Sequence, residues 1–436
     1  MRRAGLRTGS SPEPVDEGDP SGATFQSTSG QAPSGGAAAV LGLALVMAGA
    51  CVAQSFGRFT YGVILPAVRD DLLGSNRAAG LLGTVNVAAY LVGAIVVASV
   101  SSRLAMVQLV RIGLCLSTGG LLVASFATRV EVLGLGLGAM GLGGAAIWIP
   151  SPRLAAALLT PRRRGLAAGL VGMGIGIGIV FAGQLSDVLR DRQGDGAWRD
   201  VYRIEATIAV VVLVATVAFF RPQVRAHPQL LPGQAPGGRG GGLTALRRIH
   251  GWLPLTLAYA AFGFMYLLVL AFLVARLEDD AGFTPDRASS MFAALGVSTV
   301  FGGVLLGPLS DGVGRRVVLV AAFVGFGLST IAILTGTQPW VVLGAVGVGL
   351  AFGGLPTVIA AYVIDATDAA TYGPAYSAAT LAFGLAQVAA PQVGGLLADW
   401  QGSFTGVFLL SAAMAGAGAV CAARLPRHPA PFDPAT

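Results

Sequence analysis

Charge is scarce in this chain. Asp, Glu, Lys and Arg make up only 11% of its 436 residues, against a hydrophobic share of 54% and a mean hydropathy of +0.73. That much apolar surface exceeds what a water-soluble core can bury, which excludes a soluble globular protein. Lysine is missing altogether: all 28 basic side chains are arginine, and burial does not readily neutralise any of them. Cysteine and histidine number three each. Cys51, Cys115 and Cys421 lie far apart in apolar runs and read as small core residues, with neither a disulfide framework nor metal-ligand spacing. His227, His250 and His428 fall in the central linker or the tail, with no acid or cysteine set around them. With no nucleophile, base or metal set and no Gly-rich Lys loop for ATP, no enzyme, no metal and no cofactor is expected.

What the chain does have is apolar runs long enough to cross a bilayer, about 20 residues each as helices. Broken at Pro, Gly and charge, they predict an all-α integral membrane protein with helices at 38–65, 78–98, 106–127, 131–157, 165–188, 200–220, 252–276, 288–310, 316–335, 339–363, 374–397 and 404–423. The runs do not alternate as barrel strands do. Residues 1–37, rich in Gly, Ser and Pro, read as a disordered tail and not as a signal peptide, because no apolar run follows Arg2-Arg3. Residues 222–251, with GQAPGGRGGG at their centre, read as a flexible linker between a bundle at 38–221 and a bundle at 252–424, with a second tail at 425–436.

The net charge of +7 and pI near 9.8 do not point to nucleic acid, because the arginines sit in short loops between apolar runs. Arg103, Arg162 to Arg164, Arg221, Arg225, Arg239, Arg247, Arg248, Arg315, Arg316, Arg424 and Arg427 all fall on one side if both termini are inside. The opposite loops mix signs, as in Arg276 with Glu278 to Asp280. Positive loops face the cytoplasm, so both termini are expected there, in the cell membrane. The turn holding Asp365 and Asp368 departs from the pattern. The halves also look duplicated. Arg77 and Gly93 recur as Arg287 and Gly303, GQLSD at 183–187 as GLLAD at 395–399, and Val201-Tyr202 as Val407-Phe408. Parallel repeats of this kind predict two pseudo-symmetric six-helix bundles about an axis normal to the membrane.

Arg58, inside the first apolar run, is the most informative residue. Cys51, Gln54, Arg58 and Tyr61 follow at spacings of three or four and share one helix face. Two placements are open to the guanidinium: snorkelling to the outer headgroups, or lining a cavity where it pairs with an anionic group of a solute. Asn86 and Tyr90, Trp148, Tyr259 and Tyr266, and Tyr376, Thr380 and Gln387 are further cavity candidates, each with packing or helix–helix hydrogen bonding as the alternative. Arg153, near the inner end of the fourth helix, is a gate or an ordinary positive-inside anchor. Pro150 and Pro152 should distort that helix. Gly172, Gly174, Gly176 and Gly178 lack a preceding strand and read as close-packing positions, not a dinucleotide loop. Asp187 and Asp399 read as loop caps, with Asp187 or Glu205 also open as proton carriers.

At the turn after the eighth helix stands GPLSDGVGRRVVL, Gly307 to Leu319. It resembles the cytoplasmic loop signature of the major facilitator superfamily. The resemblance implies a twelve-helix transporter working by alternating access, driven by a solute or ion gradient, with Asp311, Arg315 and Arg316 as an inter-helix latch. The matching first-half loop, VASVSSRLAM, is degraded, with Ser101 in place of the acid. Drug/proton antiporters of the superfamily usually carry an arginine where this chain has Leu137, and a Gly-Pro in the fifth helix that it lacks. A secondary transporter of a small, anionic organic solute is therefore the leading expectation, with a proton as possible coupling ion and a monomer as the working unit. A proton-coupled drug or multidrug efflux antiporter is the alternative. A non-transporting sensor with the same fold is the alternative from another class.

Overall fold

In the computed structural model, residues 36–101, 103–159, 164–226, 242–368 and 371–427 are described. Most of both expected tails and the centre of the linker lie outside them, as do Arg162, Arg163, His227, Arg239 and His428. Among the described residues, twelve helices are long and apolar enough to span a membrane. They are α1 (Ala37–Leu73), α2 (Asn76–Val100), α3 (Met106–Ser125), α4 (Val130–Ala157), α5 (Gly169–Gln193), α6 (Asp195–Phe220), α7 (Trp252–Asp280), α8 (Pro285–Val313), α9 (Arg315–Leu334), α10 (Trp340–Asp365), α11 (Tyr372–Gln401) and α12 (Thr405–Ala423). Each apolar run satisfies its backbone within itself, which is what hydrocarbon demands. Large side chains such as Leu135, Leu328, Val211 and Leu343 stand exposed on outward faces, where lipid takes the place of water.

The duplication seen in the sequence organises the packing. Within α1–α6, α4 packs on α2 and α3, and α3 on α6. Within α7–α12, α10 packs on α8 and α9, and α9 on α12. Gly93 of α2 lies against Leu142 of α4, and its repeat Gly303 of α8 lies against Gly353 of α10. Between the bundles, α5 packs on α8 and α2 on α11, one contact being the symmetry mate of the other, while α1 meets α7 at the axis. Small residues allow these approaches. A Cβ on Gly62 would fall 2.2 Å from the Leu270 carbonyl, and one on Gly80 2.3 Å from that of Pro391. Of the α5 glycines, Gly174, Gly176 and Gly178 pack on Met47, Val300 and Ser55, whereas Gly172 faces open space.

Several local features differ from the sequence reading. Helix α1 runs to Leu73, past Pro66, where an end at residue 65 was expected. More consequential is its middle, Cys51–Phe59, which winds as a π-helix: the Thr60 N–H bonds the Ser55 carbonyl five residues back. Such turns carry an extra residue, re-aim the side chains they contain, and are often found at functional sites. Helix α4 breaks at Pro150 into Val130–Trp148 and Ser151–Ala157, the distortion the two prolines predict. The expected flexible linker is not uniform. The α6 helix continues through Ala226, and Gly242–Arg247 forms a short helix that buries Ala245 and Leu246 and packs on α11. Cys115 is exposed instead of lying in the core, and all three cysteines are free.

Candidate functional site

Arg58 sits in the π-helical stretch and is turned inward. Its Nη2 donates to the Gln387 amide oxygen of α11, in the opposite bundle. The guanidinium carbon lies 5.4 Å from the Tyr90 ring centroid and 5.8 Å from that of Phe59. Each such contact is worth roughly 0.5–2 kcal/mol. Nε is buried without a partner, and among the described residues no carboxylate pairs with this arginine. The outward, snorkelling placement is therefore not the one adopted. A monovalent cation stands at the axis between the bundles, held by neutral groups from both.

Beside it lies a cavity of about 20 Å³, walled by Arg58, Phe59 and Tyr61 of α1, Gly83 and Asn86 of α2, Leu267 and Leu270 of α7, and Pro391 of α11. That volume holds about one water molecule and no organic solute. Arg58 itself is half-buried beside it. An aromatic wall begins at Phe59 of α1, whose ring lies 5.7 Å from Phe352, and continues on the α7–α12 side through Tyr266, Phe262, Phe383 and Tyr259 to Tyr376. Tyr259 and Phe383 stack at 4.4 Å, and the hydroxyls of Tyr259 and Tyr376 are hydrogen-bonded at 3.2 Å.

The sequence candidates thus divide. Arg58, Gln387, Tyr90 and Gln54 come together, with Gln54 buried and within hydrogen-bonding reach of Tyr90. Tyr266, Tyr259 and Tyr376 belong to the aromatic wall. Asn86 is at the cavity, but its amide donates to the Gly57 and Leu137 carbonyls, both at 2.8 Å, and so ties α2 to α1 and α4. Tyr61 also lines the cavity, with its hydroxyl donating to the Ala79 carbonyl at 2.9 Å. Thr380 bonds back to the Tyr376 carbonyl in its own helix. Trp148 is half-buried and outside the cavity wall. Phe352 and Phe383 escaped the sequence reading because a phenylalanine in an apolar run carries no signal of which face it occupies.

The two ends of the molecule differ. At the end carrying Arg69, ion pairs cross between bundles. Arg190 of α5 grips Glu278 of α7 with two bonds, 2.6 and 3.0 Å, and Arg69 of α1 pairs with Asp279. Asp399 of α11 accepts from the backbone N–H groups of Asn76 and Arg77 at 2.9 and 2.8 Å, capping α2 of the other bundle where a cap on its own loop was expected. Acids suit a helix N-terminus. At the other end, Arg315 pairs with Asp311 of α8 and lies 3.0 Å from Asp365 of α10. The signature loop therefore joins three helices of one bundle, and Asp365, which broke the charge pattern, is its partner. Arg316 lies near Tyr362, and Arg153 is exposed.

Comparison with known proteins agrees with this architecture. A family model described as "Uncharacterised MFS-type transporter YbfB" matches residues 50–423. Monocarboxylate transporter 13 of Rattus norvegicus is 25% identical over 343 residues, covering 77% of this chain and 78% of that protein. Its namesake in Bos taurus is 28% identical over 232 residues, covering 53% and 52%. Among solved structures, the chain resembles a bacterial homologue of the human lysosomal transporter Spinster, captured inward-facing and unoccupied. The TM-score is 0.65 at 15% identity, covering 89% of this chain and 96% of that one, a likeness of fold.

Proposed function

The chain belongs to the MFS-type transporter family whose model spans residues 50–423, and from that premise we propose that it carries a small organic anion, with Arg58 as the charge that recognises it. The observation that carries the reading is the state of Arg58: a full charge beside a cavity between the bundles, held by a neutral amide and two rings, with no carboxylate paired to it among the described residues. A carboxylate is the group a guanidinium meets in two-point fashion. Two of the similar proteins are named monocarboxylate transporters. The aromatic wall suits the apolar body of such a solute, and Gln54, Tyr90 and Gln387 supply neutral hydrogen-bonding groups around its head.

Movement follows from the asymmetry of the ends. The pairs Arg69–Asp279 and Arg190–Glu278 close one mouth, so a solute enters or leaves by the other when the bundles tilt apart there. The segments 38–221 and 252–424 are the moving units, with 222–251 between them. Arg315 with Asp311 and Asp365 stiffens the second unit at the opposite mouth, and Arg316 and Arg153 anchor that end to headgroups. That end, with both termini, is assigned to the cytoplasm, and the membrane to the plasma membrane, because the loop arginines gather there. The working unit is a monomer, and a proton is the coupling ion.

The test is uptake into proteoliposomes holding the full chain, against a panel of carboxylates with and without a pH gradient. Accumulation of one or more carboxylates that Arg58→Ala abolishes is expected. A flat response to every anion overturns the reading.

A further inference from the structure

Helix α6 places a carboxyl group at mid-membrane with no positive side chain beside it among the described residues. Glu205 is wholly inaccessible, at 0% exposure. Its Oε1 lies 2.6 Å from the Thr60 hydroxyl of α1, and its Oε2 has no partner. The same hydroxyl lies 3.2 Å from the Ser55 carbonyl. A threonine hydroxyl has one hydrogen to give, and a carbonyl can only accept. Both contacts are made together when Thr60 donates to Ser55 and Glu205, carrying a proton, donates to Thr60.

The surroundings favour the same state. An unpaired carboxylate in such a place costs several kcal/mol. The titratable groups that face Glu205 are the Cys51 thiol of α1 and the Tyr202 hydroxyl of its own helix, with Tyr61 beyond Tyr202. From α3 and α5, the other helices packed on α6, no charged side chain among the described residues bears on it. Arg111 of α3 meets α6 at the Val217 carbonyl, twelve residues further along. The Ser55 carbonyl also receives the Thr60 N–H that defines the π-helical winding, three residues from Arg58.

We propose that Glu205 is a proton-binding site whose proton holds the π-helical stretch of α1, and with it the placing of Arg58, in the arrangement seen here. When Glu205 gives its proton to water, two oxygens are left that both need donors. The Thr60 hydroxyl then turns to the carboxylate, Ser55 loses a donor, and the charge draws water or a cation toward α1. A change of winding there rotates Arg58, so proton binding and anion binding are linked through one helix. The consequence for transport rests on the anion reading above.

Two measurements test it. Infrared difference spectra of the purified full chain at neutral pH should show a protonated carboxylic C=O band that Glu205→Gln removes and Thr60→Val shifts. This needs no solute, so it stands or falls apart from the anion reading, and absence of that band overturns the proposal. In proteoliposomes, with benzoate and pyruvate as probes, Glu205→Gln should keep solute exchange at the wild-type rate but lose accumulation driven by a pH gradient. Wild-type accumulation in that variant, or loss of exchange together with accumulation, overturns it.

Discussion

Arg58 of α1 and Gln387 of α11 form a hydrogen bond across the molecular axis, so that a full positive charge from one bundle is held by a neutral amide of the other. A carboxamide steadies the guanidinium without cancelling it. Had position 387 been a carboxylate, the charge would be spent within the protein.

Replacing Arg58 by Ala should therefore weaken anion binding by about 2–5 kcal/mol, the scale for truncating one partner of a buried hydrogen-bonded charge pair. Tenfold in affinity corresponds to roughly 1.4 kcal/mol, so the KM for uptake should rise by well over tenfold. Arg58→Lys should recover part of this, keeping the charge but losing the two-point geometry. Initial rates across a solute concentration series measure both variants.

Gln387→Glu is the sharper variant. It supplies Arg58 with an internal counter-ion, which should raise or preserve thermal stability while abolishing anion uptake. Gln387→Ala should reduce uptake only in part, because the charge remains. A melting curve beside a transport assay separates the two outcomes, and undiminished uptake by Gln387→Glu would count against Arg58 as the recognition charge.

At the end that carries Arg69, Arg190 has a side chain only 2% exposed and Glu278 one 12% exposed, so this pair is a buried one. Glu278→Gln should destabilise the closed arrangement by about 3–5 kcal/mol, less whatever Asp195 retains, since it leaves Arg190 short of a partner. Spin labels placed at exposed positions on either side of that mouth should report a longer distance in the variant. By contrast, Asp365→Asn at the other end removes a half-exposed partner of Arg315 and should cost about 0.2–1 kcal/mol, with little change in that distance.

Gly62 lies where α1 and α7 touch, with the Leu270 carbonyl 2.2 Å from where a Cβ would be. Gly62→Ala must push the helices apart near Arg58 at a cost of roughly 1–3 kcal/mol. The melting temperature should fall, and a cysteine-reactive probe at Gly83 (Gly83→Cys) should react faster. Unchanged melting and unchanged reactivity would mean that the two helices do not meet there in the membrane.

How much of this was legible in the sequence depends on the kind of interaction. The helices were legible because crossing hydrocarbon requires long apolar runs, and the twelve expected ranges differ from the observed spans mainly at their ends. That the contact of α5 with α8 has a mate in that of α2 with α11 follows from the repeats, but the contact itself was seen only in the packing. That Gln54 and Arg58 share a polar helix face was legible from their spacing, whereas the choice between the two placements open to Arg58 was not. The π-helical winding was not, since nothing in CVAQSFGRF distinguishes a bond to the fifth residue from one to the fourth. Nor was Asp365 as the partner of Arg315, which looked like a lapse in the charge pattern.

Composition and order alone determined that this chain is a duplicated, twelve-span membrane protein with a guanidinium in its first helix, because those properties depend on solvation and on chain length. Which groups meet that guanidinium, Gln387 from 329 residues away and the rings of Tyr90 and Phe59, was decided by how the two bundles close on each other. Contacts of that kind arise from packing between helices distant in sequence, and a linear pattern records the face of each helix but not the face opposite it.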